Sequence, residues 1–231
     1  MGAIRLRRSG LFALMAGAAF AAITVLYRSG ATKAVDHELH LWVLDFRAGW
    51  LDSLATIDDV AFRSTATFVA AAVLAVVLWR FGPRWSWCAP LAIVVAVFAE
   101  AIVKNGFSQI LHLRTLIEGV QVIFGGHFHS PASFPSGHVT RALFLAVIAL
   151  VYLPRVVSIP LTLFALTTLV ARLYTEQHRV SDVLGGAFLG IFVACVAVWA
   201  VATVTAIEVH LRKKWRPANG WFARKAGAFR N

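Results

Sequence analysis

The sequence predicts an all-α integral membrane protein with six transmembrane helices, and three observations carry that expectation. Hydrophobic side chains make up 59% of the 231 residues and charged ones only 14%, where a soluble domain carries about 25% charge. Six apolar runs approach the roughly 20 residues needed to cross a bilayer. Most Lys and Arg residues gather at alternate ends of those runs, the bias expected of positively charged cytoplasmic loops.

Leu11–Tyr27 is the first expected span. It follows Arg5, Arg7 and Arg8 as a secretory signal would. Signal cores, however, usually run about 7–15 residues, and the one small-x-small candidate, Ala19-Phe20-Ala21, lies inside the run. An uncleaved span is therefore expected. Leu6 stands where a myristoylated Met-Gly start needs Ser or Thr, so no lipid anchor is expected either. Residues 28–63 connect the first two spans, and within them the segment 36–52, DHELHLWVLDFRAGWLD, mixes Trp and Leu with charge. That pattern suits a helix lying in the interface, with Trp42 and Trp50 at headgroup level and His37 and His40 in solvent.

The remaining spans are expected at Ser64–Trp79, Trp85–Val103, Val139–Leu153, Val156–Leu173 and Val183–Ile207. A run as short as Ser64–Trp79 reaches about 24 Å, against roughly 30 Å of hydrocarbon. Its ends must meet interfacial polar groups. Cys88 and Cys195 fall inside apolar spans and read as packing residues, not as a disulfide or a metal site. The basic tail 212–231 reads as a contact for anionic lipid. Residues 1–231 form a single membrane domain in this reading.

A net charge of +11 raises the question of nucleic acid, and the placement of the charge answers it. With the N-terminus inside, Arg5, Arg7, Arg8, Arg80, Arg84, Arg155 and the whole basic tail are cytoplasmic. This places both termini in the cytoplasm and the chain in the plasma (inner) membrane, with the bilayer and not nucleic acid as its partner. Lys104, Arg114, Arg141, Arg172 and Arg179 remain on the other face, around the polar motifs.

The same parity brings Lys104, Arg114, His138, Arg172 and Asp182 to that non-cytoplasmic face. Spans four and six begin there and offer free backbone N–H groups and a positive dipole end. Spans three and five end there and supply cations. Such a concave, cationic mouth suits a phosphate. His178 precedes Asp182 by four residues, a spacing at which a carboxylate fixes one imidazole nitrogen and leaves the other as a nucleophile. His138, from another helix, is available as a general acid.

PSGH, Pro135–His138, followed by Arg172, five residues, His178, three residues and Asp182, resembles the second and third signatures of the type 2 phosphatidic acid phosphatase family. These are membrane lipid phosphate phosphatases related to vanadium haloperoxidases, and the six-span layout extends the resemblance over nearly the whole chain. The resemblance implies hydrolysis of a phosphate monoester or diphosphate of a membrane lipid, either phosphatidate-like or polyprenyl diphosphate. His178 would form a phosphohistidine, Asp182 would orient it, and His138 would protonate the leaving group and then activate water. Arg172, Ser136 and the Gly137 backbone N–H would hold the phosphoryl oxygens. No cofactor or metal is implied. A lipid phosphotransferase using the same site and a non-catalytic phospholipid-binding protein are the alternative readings.

Two departures from the family pattern stand in the chain. The family's first signature has Lys, six residues, then Arg-Pro, whereas Lys104 is followed after nine residues by Arg114 and then Thr115. The Ser usual before the third-signature Arg is Ala171. Lys104 and Arg114 are nonetheless candidate phosphate ligands. Arg141, three residues after His138 and on the same helix face, is expected to fill the vacancy beside the phosphate with a bidentate fork. Glu100, four residues before Lys104, is expected to neutralise it in part. His112, His127 and His129 are not expected to bind zinc, because no carboxylate or Cys stands at ligand spacing.

Overall fold

A computed structural model describes the chain over residues 2–44, 48–105 and 133–228, with side chains over 8–43, 48–104 and 133–213. All regular structure in these residues is helical: α1 Gly2–Ser29, α2 Lys33–Leu44, α3 Gly49–Ala61, α4 Ser64–Phe81, α5 Cys88–Leu91, α6 Ile93–Asn105, α7 Gly137–Tyr152, α8 Arg155–Tyr174 and α9 Val180–Ala228. Among the described residues four helices are long and apolar enough to cross a membrane, within Arg8–Ser29, Ser64–Phe81, Arg155–Tyr174 and Val180–Lys213, and α7 is a shorter apolar helix. Their outer faces expose Leu14, Val73, Val76, Val156 and Leu163, a density of apolar surface that a water-soluble monomer rarely tolerates.

Helix boundaries differ from the expected ones where local chemistry intervenes. α1 ends in a Schellman turn: Gly30 adopts φ +77°, its N–H donates to the Tyr27 carbonyl and that of Ala31 to the Leu26 carbonyl. The segment 36–52, expected as one interfacial helix, holds parts of two, α2 and α3. The run expected to span continuously over 85–103 is also divided. Trp85 takes a left-handed φ of 66°, helix begins only at Cys88, and the helix is interrupted at Ala92 before continuing as α6. Pro90 lacks the N–H that a continuous helix would direct back to Ser86. At the C-terminus, helix runs on from the sixth apolar run into the expected basic tail.

α9 is the axis of the bundle, with α1 packed along it, α7 crossing it, and α8 packed on α7. One core joins Phe144 and Ile148 of α7 to Leu189, Val193 and Ala194 of α9 and to Ile93 and Ala96 of α6. A second joins Val139, Leu143 and Ala146 of α7 to Ala165 of α8, Val183 and Ala187 of α9, and Phe62 just beyond α3. The α7–α9 approach depends on two glycines one helical turn apart. A Cβ at Gly186 would collide with the Ser136 carbonyl oxygen, and one at Gly190 with the Thr140 carbonyl oxygen. Small residues at this spacing let helix backbones touch. Neither α2 nor α3 is among the membrane-crossing candidates. α2 is tied to the start of α9 by Asp36, which accepts from Ser181 N–H at 2.9 Å and Ser181 Oγ at 2.7 Å. α3 packs on α8, where Tyr174 Oη donates to Asp52 Oδ1 at 2.7 Å.

Candidate active site

α7 and α9 begin, and α8 ends, at one end of the bundle. The backbone ties their termini together. Ser136 N–H donates to the Asp182 carbonyl at 2.9 Å, and His178 N–H to the Arg172 carbonyl at 3.3 Å. His138, Arg172, His178 and Asp182, expected to share a site, therefore do lie together.

Asp182 is the third residue of α9, and its Oδ2 accepts the Arg179 N–H at 2.9 Å, the reach-back of a carboxylate to the residue before the helix. The same oxygen lies 3.6 Å from His178 Nδ1. This is slightly beyond a hydrogen bond, as catalytic pairs often are without substrate. The carboxylate thus faces Nδ1 and leaves Nε2 as the unengaged nitrogen of a ring that lines the neighbouring cleft.

Arg172 is wholly buried at the end of α8. Its NH1 donates to Asp59 Oδ1 at 2.9 Å and to Gln177 Oε1 at 2.6 Å, while NH2 lies 3.5 Å from Asp58 Oδ2. Asp58 is fixed from the other side by Thr168 Oγ1 at 2.7 Å. Asp59 Oδ2 takes both Nε and NH2 of Arg63, at 3.0 and 2.7 Å. His138 Nε2 stands 3.6 Å from Asp59 Oδ1. The two adjacent carboxyls have opposite acidities. Burial pushes Asp58 above the usual carboxylate value, against the Thr168 hydrogen bond and the Arg172 charge. Burial acts on Asp59 as well, but hydrogen bonds from Arg63 and Arg172 outweigh it and hold Asp59 below that value.

The sequence reading did not single out Asp58 and Asp59. Their one visible signal was a pair of carboxylates in an otherwise apolar stretch, ATIDDVAF, just before a span.

Several buried polar atoms here have no hydrogen-bond partner among the described residues: Ser136 Oγ, His138 Nε2, Arg172 Nε and NH2, His178 Nδ1 and Asp182 Oδ1. Each such group costs about 1–3 kcal/mol when left unpaired. Their concentration at one spot marks a place built for a polar ligand. An open cleft of about 620 Å³ adjoins it, lined by Tyr27, Lys33, Ser133, His178 and Arg179 among others. His37 and His40, expected in solvent, line the same cleft, and His40 Nε2 is 4.0 Å from Glu176.

Lys104 donates to Glu100 Oε1 at 2.8 Å, the pairing expected from their spacing. Arg141 shares that carboxylate: NH1 donates to Glu100 Oε2 at 3.2 Å and Nε to the Phe62 carbonyl at 3.1 Å. Arg141 is buried, and those two donors turn toward Glu100 and Phe62. Gly137 packs so closely on the Glu100 carboxylate that a Cβ would collide with it. Arg114, His112, His127 and His129 lie outside the described residues.

The order of groups along the chain, PSGH at the start of α7 and then Arg172, His178 and Asp182 across the α8–α9 junction, coincides with the segment 87–206 that matches the family model of the PAP2 superfamily. The chain belongs to the PAP2 superfamily. No curated protein and no solved structure matches it. Membership in the PAP2 superfamily points to phosphatase activity on a phosphate ester, which accords with a buried Arg, two His and a carboxylate gathered at one end of an all-helical, membrane-embedded bundle.

Proposed function

We propose that this PAP2 protein is an integral membrane lipid phosphatase that hydrolyses a phosphate monoester or diphosphate of a membrane lipid. The observation that carries the reading is the convergence of Arg172, His138 and the His178–Asp182 pair, from three helix ends, around unpartnered buried donors. His178 Nε2 attacks phosphorus, and the bond to the lipid oxygen breaks as His138 delivers a proton to that oxygen. Water then attacks the phosphohistidine, His138 takes the water's proton, and inorganic phosphate leaves. Arg172 together with Ser136 Oγ and the N-terminal N–H groups of α7 holds the phosphoryl oxygens. No step calls for a metal.

The site faces away from the cytoplasm in this reading, and the chain crosses the membrane six times. Supporting this orientation, the opposite end of the bundle gathers Arg84 and Arg212 around Glu208, at 3.0 and 2.8 Å, as a cytoplasmic interface does. Phosphate release from phosphatidate and from a polyprenyl diphosphate, assayed in detergent with EDTA present, tests the proposal. Turnover should persist in EDTA and disappear in His178→Ala. Full activity of His178→Ala would refute the mechanism.

A further inference from the structure

The two carboxylates of α3 that face Arg172, Asp58 and Asp59, have no role in the mechanism above, and Asp59 alone also faces His138. Asp59 comes from α3, outside the matched segment 87–206, and its Oδ1 lies between Arg172 NH1 and His138 Nε2, at 2.9 and 3.6 Å. Arg172 NH1 donates to Asp59 and Gln177 and NH2 is ion-paired with Asp58 at 3.5 Å, whereas Nε has no hydrogen-bond partner among the described residues. A phosphoryl group can therefore engage the guanidinium through Nε without expelling Asp59 from NH1. On its other flank Asp59 is backed by Arg63, which is exposed.

We propose that Asp59 is a positioning residue for catalysis: it fixes the guanidinium of Arg172 for the phosphoryl group and orients the imidazole of His138 for proton delivery. The inference rests on the phosphatase reading of the site. Its physical basis is the charge arrangement around His138. Arg141 on α7, Arg172 on α8 and His178 before α9 bring positive or potentially positive groups toward that imidazole. Glu100 and Lys104 on α6 largely cancel one another, and among the described residues Asp59 is the carboxylate within 4 Å of the ring. A general acid must be protonated at the start of its step, and Asp59 is the group that favours that state against burial and the neighbouring Arg141 and Arg172. The site thus holds two His–carboxylate pairs at the same 3.6 Å separation, His178 with Asp182 and His138 with Asp59.

The test is the pH–rate profile of the full-length protein in detergent on a lipid phosphate. Asp59→Asn keeps the shape and an acceptor for Arg172 but removes the charge. Its kcat should fall about 10- to 100-fold, and the limb on which activity is lost with rising pH should move about one unit toward acid. Arg63→Gln, a change at an exposed position, leaves Asp59 less neutralised and should move the same limb toward higher pH. His178→Ala is run alongside. If His178→Ala is inactive while both other variants keep the wild-type profile, the role of Asp59 is overturned and the phosphatase reading stands. An active His178→Ala would remove that reading itself. A faster Asp59→Asn enzyme that vanadate inhibits more tightly would show that Asp59 merely occupies the phosphoryl position, which also overturns the proposal. Should Asp59→Asn not fold, the Arg63→Gln limb decides alone: a shift toward higher pH supports the role and no shift rejects it.

Discussion

Glu100 holds two cations at once, Lys104 at 2.8 Å and Arg141 at 3.2 Å, in a part of the bundle where an unpaired charge has no water to turn to. Glu100→Gln should therefore destabilise the protein by about 3–5 kcal/mol, because it strands the buried Arg141. Glu100→Gln combined with Arg141→Met should recover part of that loss. Thermal melting in detergent measures both, and a Glu100→Gln protein as stable as wild type would show the cluster to be dispensable. Asp59 gives a second residue-scale prediction. Its folded-state pKa lies below the ordinary value of 3.8, so the stability from its pairing is full above that value and is lost as pH falls through the lower, folded one. The melting difference between wild type and Asp59→Asn should shrink as pH drops below 3.8. A difference that stays constant through that window would mean that Asp59 is not held by its arginines. The pairing of Glu100 with Lys104 was legible from a spacing of four on a helix. The partners of Arg141 were not, since Phe62 and Glu100 are distant in sequence and only helix packing brings them near.

At the scale of elements, the α7–α9 contact sets the site's dimensions. Gly186 and Gly190 let α9 lie directly on the α7 backbone at Ser136 and Thr140, so the helix carrying His138 is held against the start of the one carrying Asp182. Gly190→Ala should push the helices apart at a cost of about 1–3 kcal/mol. Gly186→Ala, nearer the site, should in addition lower kcat, because it displaces Ser136 and the start of α7. Unchanged melting and kinetics for both would show that the helices can part without consequence. The ends of α4, α7 and α8 lie close to those of the apolar runs, because hydrocarbon length and helical rise constrain them directly, whereas α1 starts at Gly2, well before Leu11. The third run is divided, since Pro90 and Trp85 act through local backbone geometry that hydrophobicity does not record. α3 was missed for a related reason. Its role comes from the two carboxylates it turns toward α8, and a short amphipathic helix leaves only a weak pattern.

The whole molecule has a polar end and a basic end, joined by apolar helices. With the site facing outward, a cysteine replacing Glu38, exposed on α2, should react with an impermeant reagent on intact cells. One replacing Arg212, exposed on α9, should react only after permeabilisation, and the reverse pattern would invert the topology. The sequence by itself determined the all-helical, membrane-embedded class, because composition and run length suffice when every backbone polar group must be satisfied within its own helix. It also determined the family and singled out His138, Arg172, His178 and Asp182 as candidates, since their order and spacing are local properties of two short segments. Tertiary structure alone decided which charges face one another. It set Asp58 and Asp59 on Arg172, directed Arg141 to Glu100, and latched α2 to the start of α9 through Asp36 and Ser181. Those pairs join residues far apart in the chain, and their geometry depends on how closely glycine-lined helices approach, a distance that no spacing in the sequence encodes.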